Sequence, residues 1–205
     1  MHTKNTVIKG KSAEYTVSML AWPHPLKIKL IVFGSACDAS KAAQGSFVQP
    51  RWYRAPETIM GLPFNEAIDM WSLGCIVAEL FLGFPLYPGK YEYEIIWHII
   101  QTQGPLPEYF LSAGLHTSHF YKKTWPNLWE LITPYECRCI PLNSLDDLKE
   151  LQQKPVSLMS VANFMAEKDH LELVKQMLPL RPTQRRTLRQ VLQHTFFTMV
   201  HLKDF

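Results

Sequence analysis

The sequence predicts a mainly α fold with a short β segment near its start. Three observations carry that reading. Lys27 to Phe33 alternates Lys with apolar side chains before a short apolar run, the pattern of a strand. Asn65 to Leu82 is apolar almost all round, through Ile68, Trp71, Leu73, Cys75, Ile76, Ala78, Leu80 and Leu82, which predicts a central, buried helix. Two further stretches have a helical apolar period. One runs roughly from Glu92 to Thr102, with Ile95, Ile96, Ile99 and Ile100 inward; the other is Lys168 to Leu178, with Leu171, Val174, Met177 and Leu178 on one face.

Taken in order, residues 1–26 carry little pattern, and Pro23 and Pro25 bracket His24 in a turn or extended link. After the strand, Gly34 to Pro56 lacks a helical period and reads as a loop of about twenty residues, a length usually reserved for function or motion. Gly83 and Pro85 end the central helix. Pro88-Gly89 marks a turn, and Gly104, Pro105 and Pro107 stop the next helix. From 105 to about 166 the chain reads as irregular, with Pro126, Pro134, Pro141 and Pro155 spaced through it, a degenerate insert on a helical scaffold. Leu188 to Gln193 starts a short helix that breaks before Phe196, and the tail packs back through Phe196 and Phe197. The division is therefore a poorly patterned segment, 1–26, and one domain, 27–205. A single strand cannot satisfy both of its edges, so the chain reads as the second half of something larger.

Composition narrows the function. The chain has 205 residues, 47% of them hydrophobic, enough for one core. Its net charge of +3 is small, and the basic residues scatter apart from Arg181 to Arg189, so no direct nucleic-acid binding is predicted. Cys37, Cys75, Cys137 and Cys139 read as reduced thiols of a cytosolic or nuclear protein; the close pair Cys137 and Cys139 has no His beside it to suggest zinc. No apolar run reaches the ~20 residues a membrane helix needs, and the N-terminal residues do not form a signal peptide.

Arg51 to Gly74, RWYRAPETIMGLPFNEAIDMWSLG, resembles the C-terminal lobe of eukaryotic protein kinases. Phe33-Gly34, Ala55-Pro56-Glu57 and Asp69-Met70-Trp71-Ser72-Leu73-Gly74 come in the family's order. GLPFNEAIDMWSLGCIVAELFLGFPLYPG, with YEYEIIWHIIQTQG and LSAG after it, looks like the homeodomain-interacting protein kinases, nuclear Ser/Thr kinases with a regulatory activation-loop tyrosine. The resemblance is close over Lys27 to Gly114, resumes at Lys168 to Phe205, and is loose between. It implies a kinase-like C-terminal lobe and a nuclear or cytoplasmic protein, with nuclear favoured by the resemblance alone.

The resemblance also assigns roles. Glu57 would pair with Arg185 in a buried ion pair, and Asp69 would anchor the catalytic loop by accepting its backbone N–H groups. Arg54 and the Ala55-Pro56 wall would shape a substrate groove that prefers Pro beside the hydroxyl residue, with Trp52 and Tyr53 along it. Simple packing is the competing reading of Trp52. The regulatory tyrosine falls at Phe47, which has no hydroxyl and cannot gain the charge that would pair with Arg51 or Arg54. Ser46 reads as an exposed candidate for modification.

Transfer of a phosphoryl group from ATP by this fold needs a glycine-rich loop, a strand Lys, a catalytic Asp with a downstream Asn, and an Asp before Phe-Gly for Mg²⁺. No Gly-x-Gly-x-x-Gly occurs, and the chain starts too late for the family's N-terminal lobe. The segment laid on the catalytic loop, KSAEYTVSML, has no Asp or Asn, and Val32 stands where the metal-binding Asp belongs. Valine offers no oxygen to a hard cation. Glu14 and Asp38 are the only acids near enough to be considered, and solvated side chains are the simpler reading of both. No cofactor is expected, although the family uses ATP and Mg²⁺. The sequence thus predicts a truncated pseudokinase that binds proteins through a residual groove; the alternative is a partial gene model of an active Ser/Thr kinase.

Overall fold

Thr6, Val7 and Ile8 are β-branched in a row and form β1 (Thr6–Ile8). The computed structural model describes residues 6–8, 17–19, 28–30, 36–38, 44–46, 48–132, 144–147 and 161–198. Three more short strands follow: β2 (Val17–Met19), β3 (Ile28–Leu30) and β4 (Ala36–Asp38). β2 pairs antiparallel with β3, Val17 opposite Leu30, and β1 pairs antiparallel with β4, Thr6 opposite Asp38. The predicted strand is therefore present as β3, and it has a partner. The segment read as unpatterned holds two strands, and the segment read as a loop holds β4. Three residues are too few for a period of two to show in a sequence.

Pro56 opens α1 (Pro56–Ile59), where its missing N–H is no loss. α2 (Ala67–Leu82) is the centre of the fold. Asn65 Oδ1 accepts the Ala67 N–H at 3.0 Å at its start. Gly83 ends it at φ 83°, a left-handed cap whose N–H returns to the Glu79 carbonyl at 2.7 Å. The helix buries Ile68, Trp71, Gly74, Cys75, Ala78 and Leu82. It is not buried all round, as its composition predicts, for Leu80 is 73% exposed. Neighbours cover only part of its circumference. Burial pushes the Cys75 thiol pKa up, so Cys75 stays protonated and inert.

α3 (Glu92–Gln103) carries Glu92 and Glu94 in its first turn, where the helix dipole favours them, and buries Ile95, Ile96 and Ile99. Next come α4 (Glu108–Ala113), α5 (Thr117–Phe120) and a hairpin of β5 (Tyr121–Thr124) with β6 (Leu128–Leu131), Tyr121 opposite Leu131. This corrects the reading of 105–166 as irregular over its first part. Elements of four to six residues have no visible period. Pro126, one of the prolines spaced through that stretch, sits in the hairpin turn, where proline is at home.

α6 (Val161–Met177) lies against α2, followed by α7 (Leu188–Val191) and α8 (Thr195–Thr198). A Cβ on Gly74 would meet Leu178 Cδ2 at 2.8 Å, so that glycine sets how closely the end of α6 approaches α2. Thr187 and Gln190 form a capping box at α7. Phe196 packs on the cluster of Leu173, Met177 and Val191, while Phe197 stays 46% exposed. No helix among the described residues is long and apolar enough to cross a membrane.

Two imidazoles are built into this core. His98 is buried in α3, and His170 in α6 stacks on Phe81 at 4.5 Å and donates to the Val77 carbonyl at 3.1 Å. Burial holds both pKa values below the ordinary histidine range; Glu94 and the Pro88 carbonyl oppose this at His98, and the Val77 carbonyl opposes it at His170. Both rings are neutral in the fold and take up a proton near pH 6.5 once unfolded. Their contribution is complete above that pH and is lost as pH falls through it toward the lower folded values. Thermal melts are expected to show a midpoint that drops on acidification from about pH 7.5 to about pH 5.5. The His98→Gln/His170→Gln double variant should show a smaller drop; an equal drop would assign the effect to other groups.

Candidate functional site

The segment before α1 is held by a residue that the motifs do not single out. Gln49 is buried with φ 66°, a left-handed conformation that costs a non-glycine residue about 1–3 kcal/mol. Its amide has two donors and two acceptor positions, and all four are used. Nε2 donates to the Ile68 carbonyl at 2.6 Å and to Ser72 Oγ at 2.7 Å. Oε1 accepts from Ala55 N–H at 3.0 Å and from Thr58 Oγ1 at 3.1 Å. The side chain therefore ties the loop, α1 and α2 into one unit.

Arg54 hangs from the same loop. Its Nε donates to the Val48 carbonyl and one terminal nitrogen to the Gln49 carbonyl, each at 3.0 Å, while the other terminal nitrogen pairs with Glu92 at the start of α3. Burial lowers the Arg54 pKa, Glu92 opposes that shift, and Arg51 adds to it. Residues Arg51–Tyr53 form a single 3-10 turn. Tyr53 Oη donates to Glu79 Oε2 at 2.7 Å, and the Tyr53 carbonyl accepts from Ser72 Oγ at 2.8 Å. Trp52 Nε1 donates to the Gly89 carbonyl at 2.9 Å, yet the ring is 43% exposed. Its indole N–H is therefore fixed while part of the side chain stays exposed. Arg51 reaches the Lys90 carbonyl. Pro56 is buried, so of the residues the resemblance assigns to a groove, Arg51 and Trp52 are exposed and Tyr53 is partly buried. Ser46, read as exposed, is partly buried.

Glu57 and Arg185 meet as the sequence suggests. The guanidinium donates to both carboxylate oxygens, at 2.5 and 2.7 Å, and both side chains are almost wholly buried. Arg185 also donates to the carbonyls of Ala67, Pro179 and Leu180, and its guanidinium carbon lies 5.0 Å from the Trp71 ring centroid. Such a fork, with its remaining protons satisfied, offsets the desolvation of two charges. It locks α1 to the start of α2 and to the chain after α6. Asp69 sits in the first turn of α2, partly buried, and β1 runs beside that helix. Asp38, considered as an acid, is exposed at the end of β4.

Val32, Phe47 and Glu14 lie outside the described residues. Among the described residues, no three His, Cys, Asp or Glu side chains come together as a group able to hold a metal ion. Arg54 and Glu57–Arg185 thus have fixed partners, while Arg51 and Trp52 are exposed. Gln49 was missed because a lone Gln in a loop carries no spacing signal.

The protein kinase domain family matches residues 17–197, starting ahead of Lys27. Homeodomain-interacting protein kinase 1 of Rattus norvegicus is 45% identical over 200 residues, covering 88% of this chain and 16% of that protein. Homeodomain-interacting protein kinase 2 of Mesocricetus auratus is 44% identical over 88% of this chain and 17% of its own length. Homeodomain-interacting protein kinase 4 of Homo sapiens is 35% identical over 88% of this chain and 33% of its own. The chain spans about a sixth of the length of the first two. It belongs to the protein kinase domain family, as a mainly helical, C-terminal-lobe-like domain matching the homeodomain-interacting protein kinases at moderate identity over most of its length.

Proposed function

We propose that this chain is a catalytically inactive kinase-like domain that binds protein segments through the groove beside Trp52 and Arg54. One observation supports the reading: by the family resemblance Val32 falls where the metal-binding Asp before Phe33-Gly34 belongs. The family's cofactors do not fit this donor set. Magnesium needs oxygen ligands, and neither Val32 nor the 11–20 segment supplies an Asp or Asn oxygen. The groove does not depend on them, because Gln49, Glu79 and Glu92 hold it together from within the domain. Phe47 removes the tyrosine switch. A nuclear place of action belongs to the same reading and rests on the family resemblance.

Titration of a labelled Ser-Pro peptide tests it. Binding is expected without nucleotide, weakened by Trp52→Ala and unchanged by Mg-ATP. Absence of binding, or binding that requires Mg-ATP, would sink the proposal. The second reading gives the chain the kinase activity in its relatives' names, and the family match favours it. It predicts the Mg-ATP dependence that the first reading forbids.

A further inference from the structure

The last helices gather positive charge around exposed leucines. From Leu173 to Thr198 the sequence has no Asp or Glu, and it has Lys175, Arg181, Arg185, Arg186 and Arg189. Three of these cations are committed: Lys175 to Asp146 at 2.6 Å, Arg185 to Glu57, and Arg181 over the Tyr109 ring at 5.1 Å. Arg186 and Arg189 are exposed and make no ion pair among the described residues. Glu172 lies on the turn of α6 whose Gln176 carbonyl accepts the Arg186 N–H, and it holds the Gln176 side-chain amide at 3.0 Å. Glu66 and Asp169 have partners of their own. Glu172 offsets one of the two guanidiniums, so the surface stays positive.

Leu188 and Leu192 stand one turn apart at α7, each 56% exposed. Val191 beside them is buried against Leu173 and Met177, and the capping box of Thr187 with Gln190 fixes the start of the helix. The two leucines are therefore held as a rigid i, i+4 ridge. Phe197, 46% exposed, adds apolar surface on α8, its ring 5.2 Å from that of Phe196. A ridge of this spacing packs into the grooves between the ridges of another helix, and the arginines beside it select carboxylates. We propose that α7 docks an acidic amphipathic helix of a partner protein, with the partner's apolar side chains on Leu188 and Leu192 and its carboxylates on Arg186 and Arg189. The proposal is independent of the groove beside Trp52. Nucleic acid is disfavoured, because two cations neutralise few phosphates and the leucines offer nothing to a phosphate backbone.

Fluorescence anisotropy with the full chain tests it, using a labelled, lactam-bridged helical peptide with leucines at i, i+4 spacing flanked by Glu, and its Glu→Gln, Glu→Lys and Leu→Ser forms. The Glu peptide is expected to bind with a Kd below ~1 mM and to lose affinity as salt rises. The Gln peptide should bind about tenfold more weakly, and the Ser peptide should also lose affinity. Arg186→Glu/Arg189→Glu should reverse the order, placing the Lys peptide above the Glu peptide, a reversal that misfolding cannot mimic. Leu188→Ser/Leu192→Ser should weaken the Glu and Gln peptides alike. All four side chains are exposed, so both variants should keep the melting midpoint of the unaltered chain. No binding of the Glu peptide at ~1 mM, or equal binding of the Glu and Gln peptides, would overturn the proposal. Displacement of the Glu peptide by a DNA duplex at lower concentration than by unlabelled Glu peptide would overturn it in favour of nucleic acid. A sedimentation coefficient that rises with protein concentration, but not in Leu188→Ser/Leu192→Ser, would overturn it in favour of a second copy of the chain.

Discussion

Arg185→Ala is expected to lower the unfolding free energy by about 3–5 kcal/mol. The loss comes from what remains behind. Glu57 keeps its place in α1 with its carboxylate almost wholly out of water and without its bidentate partner. Domains of ordinary stability have about 5–15 kcal/mol in total, so this variant should lose a large fraction of its stability and unfold at a much lower urea concentration. Arg185→Lys recovers little, because an ammonium cannot span both oxygens and the Ala67, Pro179 and Leu180 carbonyls. The Glu57→Gln/Arg185→Met pair should cost less than the sum of its single changes, since no charge is left buried alone. Urea unfolding of the four proteins in the cycle checks this. Strict additivity would show that the ion pair does not hold α1 to the chain after α6.

The second large effect is at Gln49. Gln49→Ala removes four hydrogen bonds, but three of the partners have other bonds or are helical carbonyls. Ala55 N–H is the one buried donor left without its acceptor, so the expected cost is about 1–3 kcal/mol. Gln49→Glu should cost more, about 3–5 kcal/mol, by setting a carboxylate against the Ile68 carbonyl where a donor is required. The order, Glu worse than Ala, separates a hydrogen-bond hub from a merely packed side chain, for which the near-isosteric Glu would be the milder change. Both variants should also weaken peptide binding, because Arg54 hangs from the Val48 and Gln49 carbonyls. Thermal melts, with peptide titration well below each variant's midpoint, would read both effects.

The sequence shows long elements and sparse motifs well. The α2 period and the Gly83 stop are visible because sixteen residues repeat a pattern. The Glu57–Arg185 pair, 128 residues apart, is invisible to spacing and came from resemblance alone. The short strands and the 121–131 hairpin were hidden because three or four residues cannot display a period. The Arg51–Lys90 and Trp52–Gly89 bonds join parts of the chain separated by 39 and 37 residues through backbone carbonyls. Every residue has a carbonyl, so side-chain types could not announce those contacts.

The direct measurement of activity is phosphate incorporation from γ-labelled ATP into a Ser-Pro substrate, with Mg²⁺ or Mn²⁺, by the full chain and by its Glu14→Gln/Asp38→Asn variant. The account predicts the same background for both proteins, from a chain that nevertheless binds the substrate peptide. Stoichiometric incorporation by the unaltered chain, absent from the variant, would contradict it.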